Sequence, residues 1–133
     1  MDKNFLFDLI TPSKNLISGD FDMVVVPGEE GDFGILPNHS NLISQIRPGM
    51  LNTYKNNKID KSFFIYSGFA EFSNNQLIVL SETAFDVNDF KLNNYKDSIS
   101  EYEKLKNQTK VESEIIFFEK KIEEANTIIE ILK

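Results

Sequence analysis

The chain contains no cysteine, a single histidine (His39) and a single arginine (Arg47). The first absence excludes disulfides, thiolate catalysis and cysteine-based zinc sites together. One histidine cannot build the common His/Cys metal constellations. Basic residues are scarce: 14 Lys and Arg stand against 21 Asp and Glu, for a net charge of −7. So acidic a protein repels phosphate backbones, which argues against nucleic acid as a partner. No apolar run approaches the length needed to span a bilayer. The opening "MDKNFLFDLITPSKN" lacks the small-residue cleavage pattern of a secretory signal and the arginines of a transit peptide. The expectation is a soluble, cytosolic protein of bacterial type. Glycine and proline are both missing from Asn88 to the end, so nothing punctuates that stretch as turns would.

What remains is ample for folding. A chain of 133 residues and 15.3 kDa suits one domain, or a small domain with an appendage. Apolar content of 41% with twelve Phe supplies a packed core. Up to about Val87 the chain reads as short strands broken by turn residues. "NFLFDLIT" and "GDFDMVVVPG" are rich in Phe, Ile and Val, and "FFIYSG", "FAEF" and "QLIVLSETA" follow at the close spacing of antiparallel sandwiches. Asn56-Asn57 and Asn74-Asn75 tolerate positive φ and suit tight hairpins. Pro27-Gly28 and Pro48-Gly49 have the type II turn pattern. In "FAEF", Ala70 and Phe72 share one face and Glu71 takes the other.

From Asn88 the period changes. Leu92, Tyr95, Ile99, Tyr102 and Leu105 step by three or four. After "KNQTK", Val111, Ile115, Phe118, Ile122, Ala125, Ile129 and Leu132 repeat as a heptad seam. Two amphipathic helices joined by a short polar link make an antiparallel hairpin. Ile116, Phe117, Ile128 and Ile131 lie off the seam and predict a second packing surface. The expected fold is therefore β + α: an antiparallel β-sandwich over residues 1–87, then a two-helix hairpin over 88–133. A lone pair of helices buries little, so the hairpin must lean on its own sandwich or on another protein.

The stretch "VVVPGEEGDFGILPNHS" concentrates the special residues. A phosphate loop needs a Lys and a following Ser or Thr beside its glycines, and "PGEEGDFG" has neither. Asp32, His39 and Ser40 are the material of a hydrolase, but a lone His near a Ser is common, and the bland reading is a histidine satisfied at a turn. Asp20, Asp22, Glu29, Glu30 and Asp32 are spaced unlike a calcium loop, so a solvated acidic edge is the better reading. Gly28, Gly31 and Gly34 recur every third residue, which suits successive turns or a bulge. The sum is a shaped acidic docking edge. It carries neither a metal nor a cofactor.

"VPGEEGDFGILPNHSNLISQIRPGML" resembles the pattern of the epsilon subunit family of F-type ATP synthases (delta in mitochondria). The matching positions are Gly28, Gly31, Gly34, Ile35, Pro37, His39, Leu42-Ile43, Arg47, Pro48, Gly49 and Met50. Ser67-Gly68 and "IVLSETA" echo a second family block, and the order of sandwich then hairpin agrees. The family pattern is departed from at Asn41, where a proline is usual, and at Ser67. The resemblance implies a non-catalytic central-stalk subunit at the cytoplasmic face of the bacterial inner membrane. It would join the gamma subunit to the membrane c-ring, with alpha/beta as further partners of the hairpin. Glu29, Glu30, Gly31, Asp32 and Phe33 would face the basic polar loops of the c-ring; Thr11, His39, Leu42 and Ser44 would face gamma. Gly28, Gly34, Pro37, Pro48, Gly49 and Gly68 would be structural turns. Some members open the first helix with an acid and an Arg-Ala pair that bind ATP. Lys91, Asn94 and Tyr95 stand at those positions, implying no ATP site. From Gln108 to Lys133 four lysines face six glutamates, the wrong sign for an inhibitory hairpin that meets acids on beta. The alternatives are a free-standing nucleotide sensor, which calorimetry with ATP separates, and an enzyme built on His39 and Asp32.

Overall fold

The computed structural model describes residues 2–133. The chain divides into two compact units, one ending at Asn88 and the other spanning Asp89–Lys133. The first unit has ten strands: β1 (Phe5–Ile10), β2 (Asn15–Phe21), β3 (Met23–Gly28), β4 (Gly31–Ile35), β5 (Leu42–Ile46), β6 (Gly49–Lys55), β7 (Lys58–Ile65), β8 (Gly68–Ser73), β9 (Gln76–Leu80) and β10 (Ala84–Asp86). They form two five-stranded layers, β10-β7-β6-β3-β4 and β5-β8-β9-β1-β2, joined where Gly28 pairs with Ile46. All pairs are antiparallel except β1 with β9. No tight turn dictates the direction of that pair, because most of the sandwich lies between the two strands in sequence.

Alternation explains the core. Phe5, Phe7 and Leu9 of β1, Val24 and Val26 of β3, Leu51 of β6, Ala70 and Phe72 of β8 and Leu77 and Val79 of β9 are all buried in one cluster. Each set steps by two, as one face of a pleated strand must. Phe5 and Phe72 meet edge to face at 5.6 Å across the layer. Glu71, between Ala70 and Phe72, is exposed.

Asn56 and Asn57 (φ 54° and 64°) join β6 to β7, and Asn74 and Asn75 (φ 50° and 56°) join β8 to β9. Both are two-residue turns with positive φ at both centres, the geometry that matches strand twist. Several boundaries differ from expectation. "GDFDMVVVPG" breaks at Asp22 into β2 and β3, and "QLIVLSETA" breaks into β9 and β10. The acid-rich stretch is not a series of turns: residues 23–35 form the β3–β4 hairpin, with Glu29-Glu30 at its tip. Gly28 and Gly49 do not take positive φ, so neither Pro-Gly pair makes the expected type II turn. Both glycines sit in strands where there is no room for a side chain. A Cβ on Gly28 would lie 2.7 Å from the Phe33 ring, and one on Gly49 2.8 Å from Cβ of Pro27. Gly34 is a strand residue opposite Val25, with only Met23 Sδ nearby. The proline turn falls at Leu36–His39 instead: His39 N–H donates to the Leu36 carbonyl at 3.1 Å, and Asn38 takes φ 65°.

The second unit holds α1 (Leu92–Gln108) and α2 (Glu112–Leu132). Leu92, Tyr95, Ile99, Tyr102 and Leu105 are the half-buried apolar stripe of α1. Tyr102 meets Phe118 of α2 at 6.0 Å. Residues 106–108 are helical, so the link is shorter than "KNQTK", and Val111 is an exposed N-cap outside the seam. Thr109 organises the turn, since its hydroxyl donates to Glu114 Oε1 at 2.5 Å and accepts from Val111 N–H at 3.2 Å. Of the off-seam residues, Ile128 is buried while Ile116, Phe117 and Ile131 are exposed. Burial, then the negative charge of Glu124, pushes the Tyr95 hydroxyl above its ordinary 10.0. Among the described residues no helix is long and apolar enough to cross a membrane.

Candidate partner interface

The acidic hairpin tip is built where the two layers meet. Glu29 N–H donates to the Gln45 carbonyl (2.9 Å), and Arg47 N–H donates to the Pro27 carbonyl (3.0 Å). These bonds seat the end of β3 against the end of β5. Gly28 to Phe33 therefore share a shallow concavity with Ile43, Ser44 and Gln45. Gly31, at φ +138°, closes the hairpin in a conformation side chains rarely adopt. Glu29 and Glu30 are exposed. Asp32 is engaged: Arg47 Nη2 donates to its Oδ1 at 2.7 Å while Nη1 donates to the Gly28 carbonyl at 2.9 Å. Asp22 is engaged as well, accepting Asn56 N–H at 2.6 Å.

The remaining expected residues scatter along one layer. His39 is half-buried, its ring 5.9 Å from Phe72 and its Nδ1 2.6 Å from the Ser40 carbonyl. Leu42 pairs with Phe72 and Ser44 with Ala70. Thr11 is buried at the end of β1, its hydroxyl donating to the Lys14 carbonyl at 3.0 Å. Thr11 lines a depression of about 660 Å³ with Ile10, Gln45, Gly68, Phe69 and Leu80. Gln45 thus borders both hollows. Asp32 and His39 have these separate partners, so the two are not joined as a catalytic pair.

Sequence reasoning missed the outer face of the β5-β8-β9-β1 layer. One row runs Gln45, Phe69, Leu80, Ile10 in register, and the next Ile43, Glu71, Ile78, Asp8. Ile43 is 72% exposed, Phe69 53%, Leu80 51% and Leu6 48%. Large apolar side chains grouped on one exposed face are the kind of surface that protein partners cover. The available signal was "QLIVL", apolar at consecutive positions where a one-sided strand would alternate. Asp8 and Glu71 are the charged residues of these rows, and Gln45 adds a polar amide. The hydroxyl of Ser18 opposite Asp8, then Gln76 and Asn15, hold its carboxyl below the ordinary 3.8, against an opposing push from burial. Gln76 Nε2 donates to Asp8 Oδ2 at 3.0 Å.

A β-sandwich with an apolar outer face, an acidic hairpin at its layer junction and a helical hairpin after it defines a docking module. A protein-family model described as "ATP synthase, Delta/Epsilon chain, beta-sandwich domain" matches residues 4–87, and the chain belongs to that family. The ATP synthase epsilon chain of Rhodospirillum rubrum is 43% identical over 81 residues, 61% of this chain and 60% of the relative. That of Maricaulis maris is 48% identical over 83 residues, 62% of each. That of Afipia carboxidovorans is 41% identical over 105 residues, 78% of this chain and 76% of the relative. The match to the first two spans about 60% of their length. Among solved structures, a chain of the Euglena gracilis mitochondrial ATP synthase (OSCP/F1/c-ring) superposes with TM-score 0.70 at 18% identity. It covers 96% of this chain and 81% of its own. A chain of the Tetrahymena thermophila mitochondrial central stalk and c-ring gives TM-score 0.54 at 18% identity, covering 63% and 67%. These two likenesses concern the fold.

Proposed function

We propose that the chain is a non-catalytic central-stalk subunit of an F-type ATP synthase. It sits at the cytoplasmic face of a bacterial inner membrane and couples proton flow to ATP synthesis. The observation that carries this reading is the apolar outer face of the β5-β8-β9-β1 layer, left open beside an acidic hairpin. One surface is suited to a close-packed protein partner, the other to a basic one. In this reading gamma packs on the apolar outer face over Ile43, Phe69 and Leu80. Of the expected contacts Thr11, His39, Leu42 and Ser44, Leu42 and Ser44 are in register with the buried Phe72 and Ala70 and so lie on the inner side of that layer. The c-ring meets residues 29–33, where its basic loops find Glu29 and Glu30. The membrane is touched only through the c-ring.

The test is affinity capture of the tagged chain from gently solubilised membranes of its own host. Gamma, alpha/beta and c-ring should co-purify. Phe69→Glu should lose gamma, because placing a charge in a desolvated apolar contact costs tenfold or more, about 1.4 kcal/mol upward. Recovery of the chain alone from the soluble fraction would overturn the proposal.

A further inference from the structure

We infer that Arg47 is a positioning residue that fixes the acidic hairpin tip, and that Asp32 is its internal counter-ion, leaving Glu29 and Glu30 as the docking charges. The inference rests on the docking reading above for its functional part, and on geometry alone for its structural part. Arg47 follows β5 at the layer junction and reaches both strands of the hairpin with one guanidinium: the Gly28 carbonyl ends β3, and Asp32 lies in β4. Its own backbone N–H holds the Pro27 carbonyl. Three bonds from one residue thus tie the hairpin to the layer that carries the apolar face. The planar fork of arginine suits this double acceptance, whereas a lysine ammonium holds no such fixed geometry. A load on the tip reaches the β5 layer through these bonds and the Glu29–Gln45 backbone bond beside them, while β3 carries it separately to β6.

The pair is half open to water, with side-chain exposures of 40% and 59%. Its worth is therefore in orientation more than in global stability. A charge held at a defined place fixes the register of a basic partner, and the backbone that carries Glu29 and Glu30 is held by these bonds. The chain spends its one arginine here.

Two measurements on the full-length chain separate the parts. The first is amide exchange of the free protein; the second is titration onto host membranes stripped of their own copy, at several salt concentrations. The double variant Asp32→Asn/Arg47→Gln removes both charges and leaves the net charge of the tip unchanged. The Glu29 amide should then exchange about tenfold faster. Membrane docking should weaken several-fold while its salt dependence stays that of the wild type. Glu29→Gln/Glu30→Gln should keep wild-type exchange and dock weakly with a shallower salt dependence. Arg47→Lys, which disturbs the fold least, should give intermediate exchange. Wild-type exchange in the double variant, or in Arg47→Lys if the double variant does not fold, overturns the role of Arg47. Faster exchange together with unaltered docking of the glutamate variant leaves that role standing and overturns the acidic docking.

Discussion

A Cβ on Gly68 would overlap the carbonyl oxygen of Leu80, and the residue's φ of +141° strains any side chain. Gly68→Ala is therefore expected to cost about 3 kcal/mol or more, read as a lowered urea midpoint. Gly34→Ala, with only Met23 Sδ at 3.7 Å, should stay within about 0.5 kcal/mol. Asp8 makes a second prediction at this scale. Its folded carboxyl is held below 3.8, chiefly by Ser18. The charged form thus contributes stability that is present above 3.8 and is lost as pH falls through the lowered value. Asp8→Asn should be less stable than the wild type at neutral pH and equal to it in strong acid. The gap will be small, since solvent screens the group. A gap unchanged across that acid range would show that Asp8 acts through packing. The residue type was legible at Gly68 and the pairing at Asp8 was not. A glycine announces backbone freedom, whereas Ser18, Gln76 and Asn15 converge on Asp8 only through strand register.

At the scale of elements, local chemistry was legible where it is autonomous. Two adjacent asparagines with φ near +55° define a hairpin without help from the rest of the chain. The α1 stripe and most of the α2 seam follow from period alone. β4 and β5 did not, because "GDFGI" and "LISQI" become strands only through pairing with β3 and β8. The Pro-Gly pairs misled for a related reason: their glycines serve close approach of Phe33 and Pro27, a tertiary demand. The asparagines also differ among themselves. Asn75 holds the Asn38 N–H at 2.7 Å with its side-chain oxygen, and its amide donates to Asp2 and to the Asn4 carbonyl. Asn56→Ala should cost about 1–2 kcal/mol for the left-handed backbone alone. Asn75→Ala should cost about 1 kcal/mol more for its lost bonds. Equal urea midpoints for the two variants would mean that the Asn75 bridges contribute nothing.

For the whole molecule, a sandwich followed by two helices was legible because glycine and proline vanish where the period changes from two to three-and-a-half. Partner surfaces were not, because an outward apolar residue and an inward one read alike in "QLIVL". The hairpin brings both kinds of information together. α2 exposes Ile116 and Phe117 near its start and Ile131 near its end, separate apolar groups with Lys120, Glu123 and Glu124 between them. Its charge opposes an acidic partner: Lys120 and Lys121 stand against six glutamates within Glu112–Leu132. Like charges across an interface disfavour docking by more than a few exposed aliphatic groups restore, since desolvating an unpaired carboxylate costs several kcal/mol. If the chain holds the proposed stalk position, docking of the hairpin on an acidic surface is disfavoured, and we expect its inhibition of ATP hydrolysis to be weak. Removing residues from Asp89 onward should change the ATPase rate of the assembled enzyme by less than about twofold. A rise of several-fold would show that the hairpin inhibits after all, in spite of its charge.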